Sequence, residues 1–310
     1  LEVKYINKSS IEKNKIISQK IIAETIKVIN NYISNILEDN KFNLKITNNL
    51  EVLYKENKLA SIYKSNNILH PNIIISNNQS LDPALYKTLE KKIHNKLGQI
   101  LKVAFWDEKK VFYDIDSNLK AILYSLQEKL GIINIKDVSY FVSRLSRKSL
   151  IFLRKNNVGL TKNHIYYKSF LDDKGKKLRW LISNLHLNKK TNLDFPNKNF
   201  FKNKFNYNHM ALNSIGYIKL NKYAIKLIIL ESFYTNYLSK RKSIYLFNQY
   251  HMDQYNLHYD VLLEILNYFG LKRIVGTDLV SFWNFSNKFN INIPKVYDKN
   301  SPFYILKKLQ

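Results

Sequence analysis

The sequence predicts a helix-rich α+β protein: an N-terminal helix, a small antiparallel sheet, then helical segments. Three observations predict it. Ile22, Ile26, Ile29, Ile33 and Ile36 keep helical spacing. Phe42, Leu44 and Ile46 then alternate, which is the period of a strand. Beyond residue 80 the apolar spacing is helical again to about residue 154.

The elements follow in order. Ser9 and Glu12 read as a capping box that opens the first helix, which runs to about Leu37. Leu50–Tyr54, Leu59–Tyr63 and Asn72–Ser76 read as strands, the first two joined by a turn near Glu56-Asn57. Asp82-Pro83 is a helix start, with Asp at the cap and Pro at the first helical position. Leu85, Leu89, Ile93, Leu97, Ile100 and Leu101 form that helix's apolar stripe. Val103–Ile115 is expected to be extended. Ser117 caps a helix through Leu119, Ile122, Leu123, Leu126 and Leu130, which Gly131 stops. One further helix is expected from about Asp137 to Arg154, burying Val138, Phe141, Val142 and Leu145.

From Asn156 to Asn208 the periodicity weakens, and Lys, Asn and aromatic residues alternate. This stretch reads as a long basic connection with short strands. Helices are expected over Asn221–Leu238 and about Asp253–Phe269, the latter stopped by Gly270. The organisation predicted is therefore residues 1–155, a basic aromatic connection over 156–208, and a helical part over 209–310. No internal repeat of fixed period and no clear helix-turn-helix stands out.

Composition narrows the chemistry. Fifty Lys plus Arg face twenty-four Asp plus Glu, a formal net charge of +26 over 310 residues. Such self-repulsion destabilises a compact chain, so it points to a polyanionic partner. Hydrophobic residues make up 45% and aromatics 14%, which is too apolar for a disordered basic tail. With no cysteine, disulfides, Cys-ligated metals and Cys nucleophiles are excluded. No apolar run is long enough to span a bilayer. The densest, Ile215–Leu238, is broken by Lys219, Asn221, Lys222, Lys226 and Glu231. A start at Leu1 is consistent with a removed leader or tag. Sequons at Asn7, Asn78 and Asn284 are expected by chance in an Asn-rich chain, so secreted and organellar placement both stay open. The glycines form neither a Walker loop nor GxGxxG, and no HExxH or EF-hand spacing occurs, so no cofactor and no metal is expected.

The strongest local signal is basic and aromatic. Arg144, Arg147, Lys148, Arg154, Lys155, Lys162, Lys168, Lys174, Lys176, Lys177, Arg179, Lys189 and Lys190 run together, opposed by Asp172 and Asp173. Tyr166, Tyr167, Phe170 and Trp180 are interleaved. Lys and Arg track phosphates while aromatic faces stack unpaired bases, which makes RNA the expected partner. Among the histidines, His251 and His258 stand out. His258 is placed on a helical face with Val261, Leu262 and Ile265. With Glu231 they would supply acid and base groups for cleaving RNA through its 2′-hydroxyl, without metal. The leading expectation is thus a metal-independent endoribonuclease, such as a toxin acting on tRNA. The alternative is a non-enzymatic RNA-binding protein, such as an organellar ribosomal protein. A third reading, DNA binding, requires a helix presented to the major groove.

Overall fold

The computed structural model describes residues 2–76, 81–105, 116–173, 175–188, 195–203, 206–240, 244–276 and 280–285, with the backbone alone for 2–17 and for some strand positions after 274. The chain is α+β and helix-rich, opening with a helix and then a sheet as expected. It divides into two compact units, residues 1–103 with 188–192, and residues 104–187 with 193–310.

In the first unit, α1 spans Glu2–Glu38, so it begins ahead of the Ser9 capping signal. The strands β1 (Lys45–Ile46), β2 (Glu51–Tyr54), β3 (Asn57–Tyr63) and β4 (Asn72–Ile75) form an antiparallel meander in sequence order. Lys55 and Glu56 both take positive φ (46° and 67°) in the turn between β2 and β3, the geometry of a tight two-residue hairpin. Helix α2 (Pro83–Ala104) is capped by Asp82, whose carboxylate accepts the Ala84 N–H. It buries Leu89, Ile93, Leu97 and Leu101, the stripe read from the sequence. Its Lys92 Nζ donates to the carbonyls of Ile36, Leu37 and Asp39 at 2.8–3.0 Å. A cation there satisfies the last carbonyls of α1 and opposes its dipole.

The second unit holds three helix-and-wing segments of like strand order, the middle one with a single helix where the others have two. The first copy runs α3 (Ser117–Glu128), β5 (Ile132–Asn134), α4 (Ser139–Ser143), α5 (Arg147–Lys155), β6 (Val158–Leu160) and β7 (His164–Tyr167). Three residues, Arg144 to Ser146, separate α4 from α5, so the pair is a helix-turn-helix followed by a β-hairpin, or wing. The second copy runs α6 (Lys176–His186), β8 (Phe200–Lys202), a five-residue α7 (His209–Asn213), β9 (Tyr217–Lys219) and β10 (Tyr223–Lys226). The third runs α8 (Leu227–Phe233), continued by a π-helical turn to Leu238, then β11 (Tyr245–Asn248), α9 (Gln249–Asp253), α10 (Tyr259–Tyr268), β12 (Leu271–Gly276) and β13 (Val280–Phe285).

The sheets show that these are copies. Their strand orders are β5-β7-β6, β8-β10-β9 and β11-β13-β12, so in each the last strand lies between the other two, antiparallel to both. The junction into the wing also repeats. Asn157, Gly216 and Gly270 all have left-handed backbone (φ 58°, 80° and 80°). Each donates its N–H to the carbonyl three residues back, on Arg154, Asn213 and Asn267. Each is followed by a buried residue that opens the hairpin, Val158, Tyr217 or Leu271. A left-handed residue ends a helix and turns the chain back, and glycine or asparagine does so at least cost. Two of the hairpins close alike, by the Lys168 N–H on Asn157 O and the Leu227 N–H on Gly216 O.

Several sequence expectations are therefore corrected. The helix expected over 137–154 is a 3-10 turn (Ile135–Val138), α4, a break and α5, because the Ser146 side chain accepts the Ser149 N–H and starts a new helix. The connection expected over 156–208 contains the first wing, α6 and β8. The helix expected from Asn221 is the tail of a hairpin until Leu227, and the one expected from Asp253 starts at Tyr259. Residue 155 ends α5 and residue 208 caps α7. Residues 106–115 and the C-terminal stretch from Asn290 lie outside the described residues.

A side chain at Gly216 would be held at positive φ, and its Cβ would meet the Phe170 carbonyl oxygen at 2.8 Å. Gly216→Ala is expected to cost about 2 kcal/mol or more, and Gly270→Ala about 1 kcal/mol for the backbone alone. Denaturant unfolding of both variants checks this order, and equal costs would contradict the contact with Phe170.

Candidate nucleic-acid interface

The three copies present different outer faces. In α5, Ser149, Leu150 and Leu153 are buried, and the Ser149 hydroxyl donates to Asp116 at the start of α3. Arg147, Lys148, Ile151, Arg154 and Lys155 are exposed. A helix advances about 100° per residue, so these five occupy one continuous arc. Around that arc the order is Arg154, Arg147, Ile151, Lys155, Lys148. Between Ser139 and Leu171 the chain has no Asp or Glu. Arg147, Lys148 and Lys155 form no ion pair among the described residues. On α4, the Arg144 guanidinium lies 3.4 Å from the centre of the exposed Tyr140 ring.

The corresponding helices of the other copies offer no such face. α7 buries Ala211, Leu212 and Asn213, and the chain stays buried from there through Ile218. The outer side of α10 carries Asp260, Leu263, Glu264 and Asn267. Glu264 is already engaged. Its carboxylate accepts the Lys222 N–H at 2.8 and 2.9 Å and the Tyr223 N–H at 3.2 Å, at the tip of the β9–β10 hairpin. The tip of the second wing thus meets α10 at Glu264, while Asp260 and Asn267 stay exposed.

The residues expected to form a catalytic group have separate partners. Glu231, buried on α8, accepts from His164 Nδ1 and from Asn163 Nδ2. His164, buried on β7, receives the Tyr268 hydroxyl on Nε2 at 2.6 Å, and Asn134 donates to that hydroxyl at 3.0 Å. Every polar atom in this chain of contacts has a partner, and burial pushes the Tyr268 hydroxyl up to about 12. The network ties the first copy to the third. His251 sits in the first turn of α9, where its Nδ1 accepts the Asn248 N–H, and its ring packs edge-on against Tyr237 and Phe247. His258 is not on the apolar face of α10. It has extended backbone at the N-cap, is exposed, and meets Phe200 edge-to-face.

The expected RNA-contact residues also separate. Arg144, Arg147, Lys148 and Arg154 lie at the exposed surface of α4 and α5, and Lys177 is exposed on α6. Lys176 is buried, with Nζ 3.0 Å from Asp173. Trp180 is 1% exposed, packed edge-on against Tyr207. Tyr166 covers Gly159, where a Cβ would meet its ring at 2.5 Å, so it packs inward rather than offering a stacking face. Lys174, Lys189 and Lys190 lie outside the described residues.

Arg179 is the largest departure. It is 1% exposed, and its guanidinium donates to Ser214 O at 2.6 Å, Ala104 O at 2.8 Å and Asp172 O at 3.2 Å. It also lies 4.7 Å from the centre of the Phe170 ring. Burial pushes its pKa down to about 10, which leaves it charged at neutral pH. Among the described residues no group of His, Asp and Glu is arranged to hold a metal. No helix of the described structure is long and apolar enough to cross a membrane.

No family model matches this chain, and no curated protein or solved structure is detectably similar to it.

The sequence missed His164, because its partners Glu231 and Tyr268 are far away along the chain. It also missed the break at Ser146, although a serine ahead of a basic, apolar-spaced run is a cap signal. Arg179→Met is expected to cost about 3 kcal/mol, since it strips carbonyls of a charged donor in the interior. Thermal unfolding checks this. A loss below 1 kcal/mol would place Arg179 at the surface instead.

Proposed function

We propose that this chain is a nucleic-acid-binding protein that makes contact through the exposed arc of α5. The observation that carries this reading is the contrast between the copies. The same helix presents four exposed cations in the first, is mostly buried in the second, and carries Asp260 and Glu264 with no Lys or Arg in the third. A charge spread over the chain by composition alone would not discriminate among equivalent helices. Four cations on one helical face suit a phosphate backbone, where each contact releases counterions. The third copy acts as a brace, holding the first wing through His164 and Asn163.

Cleavage has less support than binding. Glu231 is occupied by His164, and His251 and His258 serve at the starts of two different helices. The chemistry expected of these three residues needs them around one phosphate.

Binding is checked by fluorescence anisotropy against labelled nucleic acid over a range of salt. Arg147→Ala with Arg154→Ala is expected to weaken binding more than tenfold at low salt. It should also reduce the slope of log K against log salt by about 2. Lys177→Glu, on α6, is expected to leave both nearly unchanged. Unaltered binding by the double variant, folded by circular dichroism, would refute α5 as the contact surface.

A further inference from the structure

We infer that the polymer is B-form DNA, with α5 in the major groove and Ile151 set against the base edges as a specificity-determining residue. The inference rests on the reading of α5 as the contact surface and concerns what that surface fits.

The order of side chains around α5 carries it. Ile151, 40% exposed, stands at the middle of the arc, with Arg154 and Arg147 on one side and Lys155 and Lys148 on the other. A helix about 10–12 Å across fits the B-DNA major groove, about 12 Å wide. The walls of that groove are phosphates and its floor is base edges. A helix laid along it puts its flanking residues on the walls and its central residue on the floor. Cations at both flanks therefore meet both strands, and the central side chain faces the bases. That side chain has no donor or acceptor. The apolar group that the major groove offers it is the thymine 5-methyl.

Other nucleic acids fit the same face less well. The major groove of A-form RNA is deep and too narrow for side chains to read. Its shallow minor groove presents 2′-hydroxyls, which isoleucine cannot bond. Single strands call for exposed aromatic platforms. Tyr166 and Trp180 pack inward, and the exposed Tyr140 ring is already faced by the Arg144 guanidinium at 3.4 Å. The copies also predict one docking helix per chain, since α10 offers no Lys or Arg on its exposed side and α7 is mostly buried.

The experiment begins by selecting duplexes from a random-sequence DNA pool with the whole chain. The selected duplexes are then resynthesised in three forms: with thymine, with uracil in its place, and as double-stranded RNA. Burying one methyl is worth about fourfold in affinity. Wild type is expected to bind the thymine duplex about fourfold tighter than the uracil duplex for each thymine contacted, and the RNA duplex weakly. Ile151→Ala, an exposed change, is expected to bind the thymine and uracil duplexes alike. Equal binding of both by wild type would overturn the role of Ile151, as would selection of no preferred sequence. Preference for RNA, double- or single-stranded, would overturn the inference and leave the binding function standing. Failure to bind any nucleic acid would overturn both.

Discussion

The buried guanidinium of Arg179 is the interaction on which the second unit depends. A charge in the interior is costly unless it is hydrogen-bonded. Here backbone carbonyls and an aromatic face replace its water. Those carbonyls belong to the segment entering the unit, to the stretch between the first and second copies, and to the end of α7. One side chain therefore joins places far apart in sequence. Phe170, beneath the guanidinium, also packs edge-on with Phe105 and bounds the space around Gly216. The copies meet at a packed junction rather than through a flexible tether.

With the copies held in this way, differences among their surfaces acquire meaning. The interior of each repeats: a left-handed residue, a buried opening to the wing, a central last strand. The exteriors diverge. α7 is mostly buried, and Glu264 ties α10 to the second wing. The His164–Glu231–Tyr268 network does the same for the first wing, which meets the third copy. What remains outward is α5, and the acid-poor stretch around it carries the charge that the whole-chain count dilutes.

Much of the fold was legible where one segment sufficed to specify itself. The β2–β3–β4 meander, the stripe of α2 and the apolar face of α3 all follow from local spacing and turn residues, although the cap of α3 is Asp116 rather than the expected Ser117. Misreadings arose where two short elements imitate one long one. Val138, Val142 and Leu145 keep helical spacing straight through the turn before Ser146, so the break in the helix-turn-helix was hidden by its own core residues. The repeat was hidden for a different reason. Asn157 and Gly216 are chemically unlike residues doing the same backbone work, and the copies differ in length and in α7. At the interface, the basic cluster was legible as a charge run. Its division into buried Arg179 and Lys176 and exposed Arg147 and Lys148 was not, because that division depends on contacts such as Ser214 and Asp173.

The buried and exposed residues of α5 do not overlap. Ser149, Leu150 and Leu153 anchor the helix, while the five arc residues face outward. Recognition and foldedness are thus written in separate letters of the same short helix. A helix of this kind can acquire a new target by changes that its scaffold does not feel. α10 lacks part of that freedom: a change at Glu264 reaches the backbone of the neighbouring hairpin. The molecule thus confines its evolvable surface to one helix and makes the remaining copies its foundation.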